Sequence, residues 1–271
     1  MRINKQLIII LVIWSIAPLI WQLYTSFSTP EALINPFSTI EHRWTFQNYL
    51  LVLNSDPPFW IYLTNSTILA ISTTILTLII SIPAGYGLSR SKNKMARLTR
   101  SYLLSAALFP YVLLFLALLE AAKELDIGNN LIALSIPYTA LSLPLAILLL
   151  SSAFDKLPKD LEEAATIEGL NLYQRTKLIF IPLIAPTSSS IAILIFIFSW
   201  NEYPIALTWI SNTKLLTLPV AIARIAGSSV YEIPYGAFAA ATVIASIPLI
   251  LMVLIFQKQI ISGLTKGAIK G

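Results

Sequence analysis

The chain has 271 residues, of which 56% are hydrophobic and only 11% charged, with a formal net charge of +5. A soluble domain carries about a quarter of its residues as Asp, Glu, Lys and Arg, so a water-soluble globule is excluded. There is no cysteine and a single histidine, His42, which removes disulfides, thiolate metal sites and thiol nucleophiles and leaves little for zinc chemistry or a Ser-His-Asp triad.

Apolar runs of roughly 20 residues cross the hydrocarbon core of a bilayer as helices. The sequence predicts six such spans, at about 6–27, 61–88, 102–122, 131–153, 187–210 and 236–257. Barrel strands would be about 10 residues long with alternating polarity, a pattern these runs lack. The expected fold class is therefore all-α, a polytopic membrane protein forming one transmembrane domain over 1–271. The first run follows Arg2 and Lys5. Its apolar core is longer than the about 7–15 residues of a signal peptide and no small-x-small site follows it, so it reads as an uncleaved first helix.

Segment 28–60 contains Pro30, Pro36, Pro57 and Pro58 and reads as a structured loop with one short surface helix. Pro83, Pro110, Pro137, Pro144, Pro204 and Pro248 lie within the predicted spans. Each removes a backbone donor and bends its helix, which suits a bundle around a cavity. Membrane helices also tolerate proline for ordinary reasons, since neighbours satisfy the freed carbonyls.

The cations alternate by loop and do not form a nucleic-acid patch. With the N-terminus inside, the inner segments hold Arg2 and Lys5, then Arg90, Lys92, Lys94, Arg97 and Arg100, then Lys156, Lys159, Arg175 and Lys177, then Lys258, Lys266 and Lys270. The outer segments keep only Arg43, Lys123, Lys214 and Arg224. The positive-inside rule places both termini in the cytoplasm, together with 90–100 and 155–182.

The loop 155–182 has a helix-turn-helix layout. Leu157, Leu161, Ala164 and Ala165 fall at i, i+4, i+7 and i+8 and make one narrow apolar face. Pro158 fits a first helical turn, Gly169 serves as the C-terminal stop, and Asn171 with Gln174 forms a capping box for the next helix. A helix lying on lipid is the competing reading. The apolar face is too small for that, and Asp160, Glu162, Glu163 and Glu168 would repel an anionic leaflet. A partner protein is the better fit.

Glu163-Ala164-Ala165, followed by Gly169, Ile179 and Pro182, resembles the EAA loop of permease subunits of bacterial and archaeal ABC importers. This sequence has Ile181-Pro182 where the family usually shows Leu-Pro, and Glu168 where it often shows Asp; both changes keep the chemistry. Thr45, Asn48 and Tyr49, Asn65-Ser66, and Tyr86 to Arg90 also look like this family. The resemblance extends from about Thr45 to Gly271. It implies the type I ABC importer permease fold, with Leu161, Glu163, Ala164, Ala165 and Gly169 gripped by a separate ATPase. It further implies a second permease subunit, an ATPase dimer, an external solute-binding protein and residence in a bacterial or archaeal inner membrane.

The sequence has no G-x-x-x-x-G-K-[ST] loop, so no cofactor is expected in this chain, and ATP with Mg belongs to the partner. An ion-coupled carrier working alone would place ionisable residues at the bilayer centre, whereas Glu120 and Glu202 both lie toward outer span ends. Trp200, Asn201, Glu202 and Tyr203 follow Ser199 in the most polar stretch of any span. Aromatic faces cover sugar C–H groups while amides and carboxylates take hydroxyls. The alternative is helix-helix bonding by Asn201 and Glu202. Trp-Asn-Glu-aromatic at this place also resembles the carbohydrate branch of the family, in which the partner permease supplies much of the substrate site. A sugar-derived osmolyte or polyol of the glucosylglycerol, trehalose or sucrose type is the second substrate reading. Within the cytoplasmic tail 258–271, the run 263–271 reads as short, cationic and flexible, and resembles a maltose-type permease tail that enters the ATPase dimer, which singles out Gly263, Lys266, Gly267 and Lys270. A positive-inside anchor would explain the lysines but not the glycines.

Overall fold

The computed structural model describes residues 5–34, 44–225 and 234–268. The described helices are α1 (Lys5–Ser26), α2 (Pro30–Ile34), α3 (Gln47–Leu53), α4 (Phe59–Arg90), α5 (Lys94–Ala107), α6 (Phe115–Glu124), α7 (Leu131–Asp155), α8 (Lys159–Ile167), α9 (Leu172–Arg175), α10 (Ile181–Asn201), α11 (Pro204–Trp209), α12 (Leu218–Ile225) and α13 (Tyr235–Ala268). His42 and Lys270 lie outside the described residues. Among the described residues five helical stretches are long and apolar enough to cross a membrane singly: Gln6–Ser26, Phe59–Arg90, Leu131–Asp155, Leu172–Asn201 and Tyr235–Gln257.

The segment expected as a straight span over 102–122 is not one straight helix. It is a pair, Lys94–Ala107 and Tyr111–Glu124, bent by 86°. Pro110 sits in the break, where it supplies no donor and disfavours helical backbone in Phe109 before it. Hydropathy registers the apolar content but not the change of direction. The expected span 187–210 is shifted as well. Its helix starts at Leu172, passes through a π turn over Thr176–Phe180 and stops at Asn201. Pro204 has no N–H to continue the ladder and instead opens α11. At the end of the chain, α13 runs through Ala268, so the run expected to be flexible over 263–271 is helical from Gly263 to Ala268. The two glycines in it, Gly263 and Gly267, each cost a helix about 1 kcal/mol without ending it.

The centre of the bundle is α4 against α7, with α10 packed on both and on α13. One buried cluster gathers Leu69, Leu134, Tyr138, Trp200, Ile205 and Trp209. A second, toward the α8 end, gathers Leu150, Phe154, Phe180, Ile184 and Ile191. Helix α4 has 32 residues, about 48 Å at 1.5 Å per residue, against a hydrocarbon core of about 30 Å. It therefore overreaches the membrane and carries its last turns to the level of α8.

Candidate functional site: the α8 loop and the break at Asn201

Local rules shape the α8 loop. Pro158 is the residue that caps α8, one position before the first turn in which the sequence placed it. Gly169 has φ of +79°, a left-handed conformation that costs other residues about 1–2 kcal/mol. Gly169 N donates to Thr166 O at 3.0 Å and Leu170 N to Ala165 O at 3.0 Å, the two bonds of a Schellman stop. Asn171 and Gln174 exchange side-chain and backbone bonds at 2.9 Å each, completing the capping box that opens α9.

The two adjacent glutamates of α8 have different surroundings. Successive residues step by about 100° around a helix, and Glu162 turns inward while Glu163 is exposed. The Glu162 carboxylate accepts from the Tyr86 hydroxyl and from Arg90 Nε at 2.7 Å. Both side chains of the ion pair retain 18% exposure. Desolvation pushes the Glu162 carboxyl up, but the bonds from Tyr86 and Arg90 and the charges of Arg90 and Arg175 outweigh it and hold the group below its ordinary value. Arg90 Nη1 also donates to Phe154 O at 3.2 Å. Beside it, Ser89 Oγ donates to Asp155 Oδ1 at 2.7 Å, and Arg100 donates to Asp155 Oδ2 at 3.2 Å and to Leu88 O at 3.0 Å. The Tyr86 ring packs on Phe154 and Phe180 with centroids 5.5 and 5.2 Å apart.

The single apolar face expected on α8 is divided. Ala165, three residues after Glu162, shares its inward side and is only 3% exposed. It packs within its own chain and offers no partner surface. Leu161, Glu163 and Ala164 remain exposed, flanked by Ile167, which is 87% exposed, and by Leu172 and Tyr173.

The polar stretch at the end of α10 divides similarly. Trp200 is buried and stacks on Phe196 at 5.6 Å. Asn201 is exposed and donates to Ile197 O at 2.8 Å. Trp200, Asn201 and Tyr203 line a cavity of about 410 Å³ with Leu218, Ile222, Phe238, Thr242 and Ser246. Glu202 does not line it. It is 2% exposed and accepts from Ile205 N at 2.9 Å, Ala206 N at 3.1 Å and the Tyr138 hydroxyl. The break in the helix leaves the first amides of α11 without intrahelical partners, and Glu202 supplies their acceptor. This corrects its assignment to a substrate pathway. In the tail, Gly263, Lys266 and Gly267 are positions of the continuing α13 helix.

Positions that the sequence connected only by resemblance have physical roles. Asn48 Nδ2 donates to Ser26 O and Ser28 O at 3.0 Å each, and Tyr49 bonds Ser26 Oγ at 2.8 Å. Thr45 N donates to Phe27 O at 2.7 Å. Asn65 Nδ2 donates to Lys214 O and Leu216 O at 3.0 Å each, and Leu218 N donates to Ser66 Oγ at 2.7 Å. Each closes a contact between segments distant in sequence, which no local pattern displays.

Residues 43–266 match the family model described as binding-protein-dependent transport system inner membrane component. The chain is 41% identical to the trehalose/maltose transport system permease protein MalG of Thermococcus litoralis, over 97% of this chain and 94% of that one. It is 37% identical to the sulfoquinovosyl glycerol transport system permease protein SmoH of Agrobacterium fabrum, over 97% and 91%. It is 34% identical to the trehalose transport system permease protein SugB of Mycobacterium tuberculosis, over 95% and 93%. Its fold matches a chain in the crystal structure of a bacterial ABC transporter that imports alginate, with a TM-score of 0.79 at 21% identity, over 94% of both chains.

Proposed function

The chain belongs to the binding-protein-dependent transport system inner membrane component family, and on that premise we propose that it is one of two permease subunits of an ATP-driven importer for a sugar or oligosaccharide. It forms half of the translocation pathway and converts closure of an ATPase dimer into switching of the cavity. The partners are the second permease, the ATPase dimer with its ATP and Mg, and an external solute-binding protein. The observation that carries the reading is the α8 loop: Leu161, Glu163 and Ala164 stay exposed on a helix whose ends are fixed by the Gly169 stop and the Asn171 box. Such a preformed, exposed element is what a soluble ATPase can grip. The distribution of lysine and arginine supports a cytoplasmic α8 and cytoplasmic termini. Glu202, the most buried acid of the spans, is occupied as a helix cap, which disfavours an ion-coupled carrier built on it.

A sugar-derived osmolyte is the second substrate reading. Similarity to permeases named for trehalose and for sulfoquinovosyl glycerol favours small glycosides over long polymers. The test is to purify the chain with its partners and reconstitute it in liposomes. An ATPase should co-elute, and disaccharide or glycoside uptake should require ATP on the α8 side. Uptake by the chain alone, driven by a proton or sodium gradient, would overturn the reading.

A further inference from the structure

We propose that Glu162 is a positioning residue that latches α8 to the end of α4, so that displacement of α8 is delivered to α4 and through it to the wall of the cavity at Asn201. The inference rests on the permease reading for its functional meaning, but the latch is a matter of geometry. Covalently, α8 joins α7 through Lys156, Leu157 and Pro158 and α9 through residues 168–171, and neither link reaches α4. A push on α8 therefore needs some other contact to reach α4 directly. Glu162 supplies that contact. Its Oε1 takes the Tyr86 hydroxyl and its Oε2 takes Arg90 Nε. Arg90 is the last residue of α4, where a cation is favoured by the helix dipole, and it also bonds the carbonyl of Phe154 near the end of α7. Three helices thus converge on one guanidinium. The planar fork of arginine suits this, because its donors are fixed relative to one another.

The other end of α4 is fastened too. Asn65 holds Lys214 O and Leu216 O, and Ser66 holds Leu218 N, the first amide of α12. Leu218 and Ile222 of α12 line the same cavity as Asn201 and Tyr203. Named hydrogen bonds therefore connect α8 to the cavity wall with α4 as the rod between two clasps. Glu163 points away from the rod and is left for the partner. Neighbouring acids divide the labour: one receives the force and the other passes it on.

The test has two arms, both on the full chain. In the first, the chain in nanodiscs carries a spin label on Ile167→Cys, at the exposed end of α8. The latch predicts a restricted label that gains mobility in Glu162→Gln and in Arg90→Gln. Identical spectra in all three would overturn it. The second arm uses the reconstituted importer and measures ATP hydrolysed per solute moved, with ATPase co-elution as control. Coupling between sites is worth at least about a factor of five, so each single variant should raise the ATP cost by about that much while still assembling. The double variant should be no worse than either single, and the exchange Glu162→Arg with Arg90→Glu should recover part of the loss. A wild-type ratio in the singles, or losses that multiply in the double, would overturn the proposal. If the unmodified complex shows no ATP-driven uptake, the permease reading falls, and the label mobility still decides the latch.

Discussion

Glu202 offers the sharpest separation between a structural and a transport role. Replacing it by alanine strips the acceptor from Ile205 N, Ala206 N and the Tyr138 hydroxyl together. A buried donor left unsatisfied costs about 1–3 kcal/mol. Neighbouring losses do not add, so the three together come to about 2–5 kcal/mol. For a chain of this size each kcal/mol lowers the melting temperature by about 2–4 °C, which gives an expected fall of about 4–20 °C for Glu202→Ala. Glu202→Gln keeps the volume and one acceptor oxygen and should lose less than half of that. Thermal unfolding in detergent measures both. Substrate affinity of the assembled importer, read from stimulated ATP hydrolysis, should be unchanged in the glutamine variant. An alanine variant with wild-type melting temperature and altered solute affinity would refute the cap and return Glu202 to the pathway.

A Cβ placed on Gly85 would lie 2.8 Å from Leu150 Cβ and 3.1 Å from Ser151 N, where ordinary carbon contacts are about 3.5–4.0 Å. Gly85→Ala must part α4 from α7 and should cost about 1–3 kcal/mol, visible as a lower melting temperature. Gly169→Ala forces a side chain into φ of +79°; it and Glu163→Ala should leave the chain inserted but reduce ATP-driven uptake, and normal uptake in both would remove the α8 loop from coupling. Cysteines placed at Ser91 and Ser262 should resist a membrane-impermeant thiol reagent in intact cells while one at Ser211 reacts; the reverse pattern would invert the topology. Because the Glu162 carboxyl is held below its ordinary value of 4.5, its contribution is present above that value and lost as pH falls through the depressed one. Latch strength, followed by label mobility on α8, should therefore be flat from about pH 6 to 8 and weaken only in stronger acid.

Much of the fold was legible because lipid imposes a simple demand: long apolar runs must become helices. The α8 loop was legible for a different reason. Gly169, Asn171 and Gln174 act on their immediate neighbours, so their chemistry can be read from spacing alone. Direction was not legible. Pro110 was visible, yet an 86° bend and a mild kink leave the same hydropathy trace. Nor could the sequence separate Glu162 from Glu163. What distinguishes them is contact with Tyr86 and Arg90, 76 and 72 residues away. Glu202 was misread because a carboxylate that caps a broken helix and one that binds a hydroxyl are the same residue type in the same polar setting. Burial decides between them, and burial is a property of the folded bundle.

Helix α1 meets the rest of the protein chiefly through α13, and that pairing has a consequence for biogenesis. Ribosomes add about 5–20 residues per second, so α1 is finished roughly two hundred residues, or about 10–40 s, before its mate begins to emerge. Throughout that interval it must persist as a solitary helix in lipid. Its composition permits this: Gln6–Ser26 contains no charged residue, and its most apolar 18-residue window has a mean hydropathy of 2.2. Its mid-helix Ser15 hydroxyl folds back onto Leu11 O at 2.8 Å. The Asn48 amide can meanwhile tie α3 to Ser26 and Ser28 without any help from α13. When α13 arrives, Gly236 has to close over that finished knot, and any side chain there would meet the Asn48 amide nitrogen at 2.4 Å. The late helix thus acts as the keystone of the bundle, shaped to drop onto masonry already set.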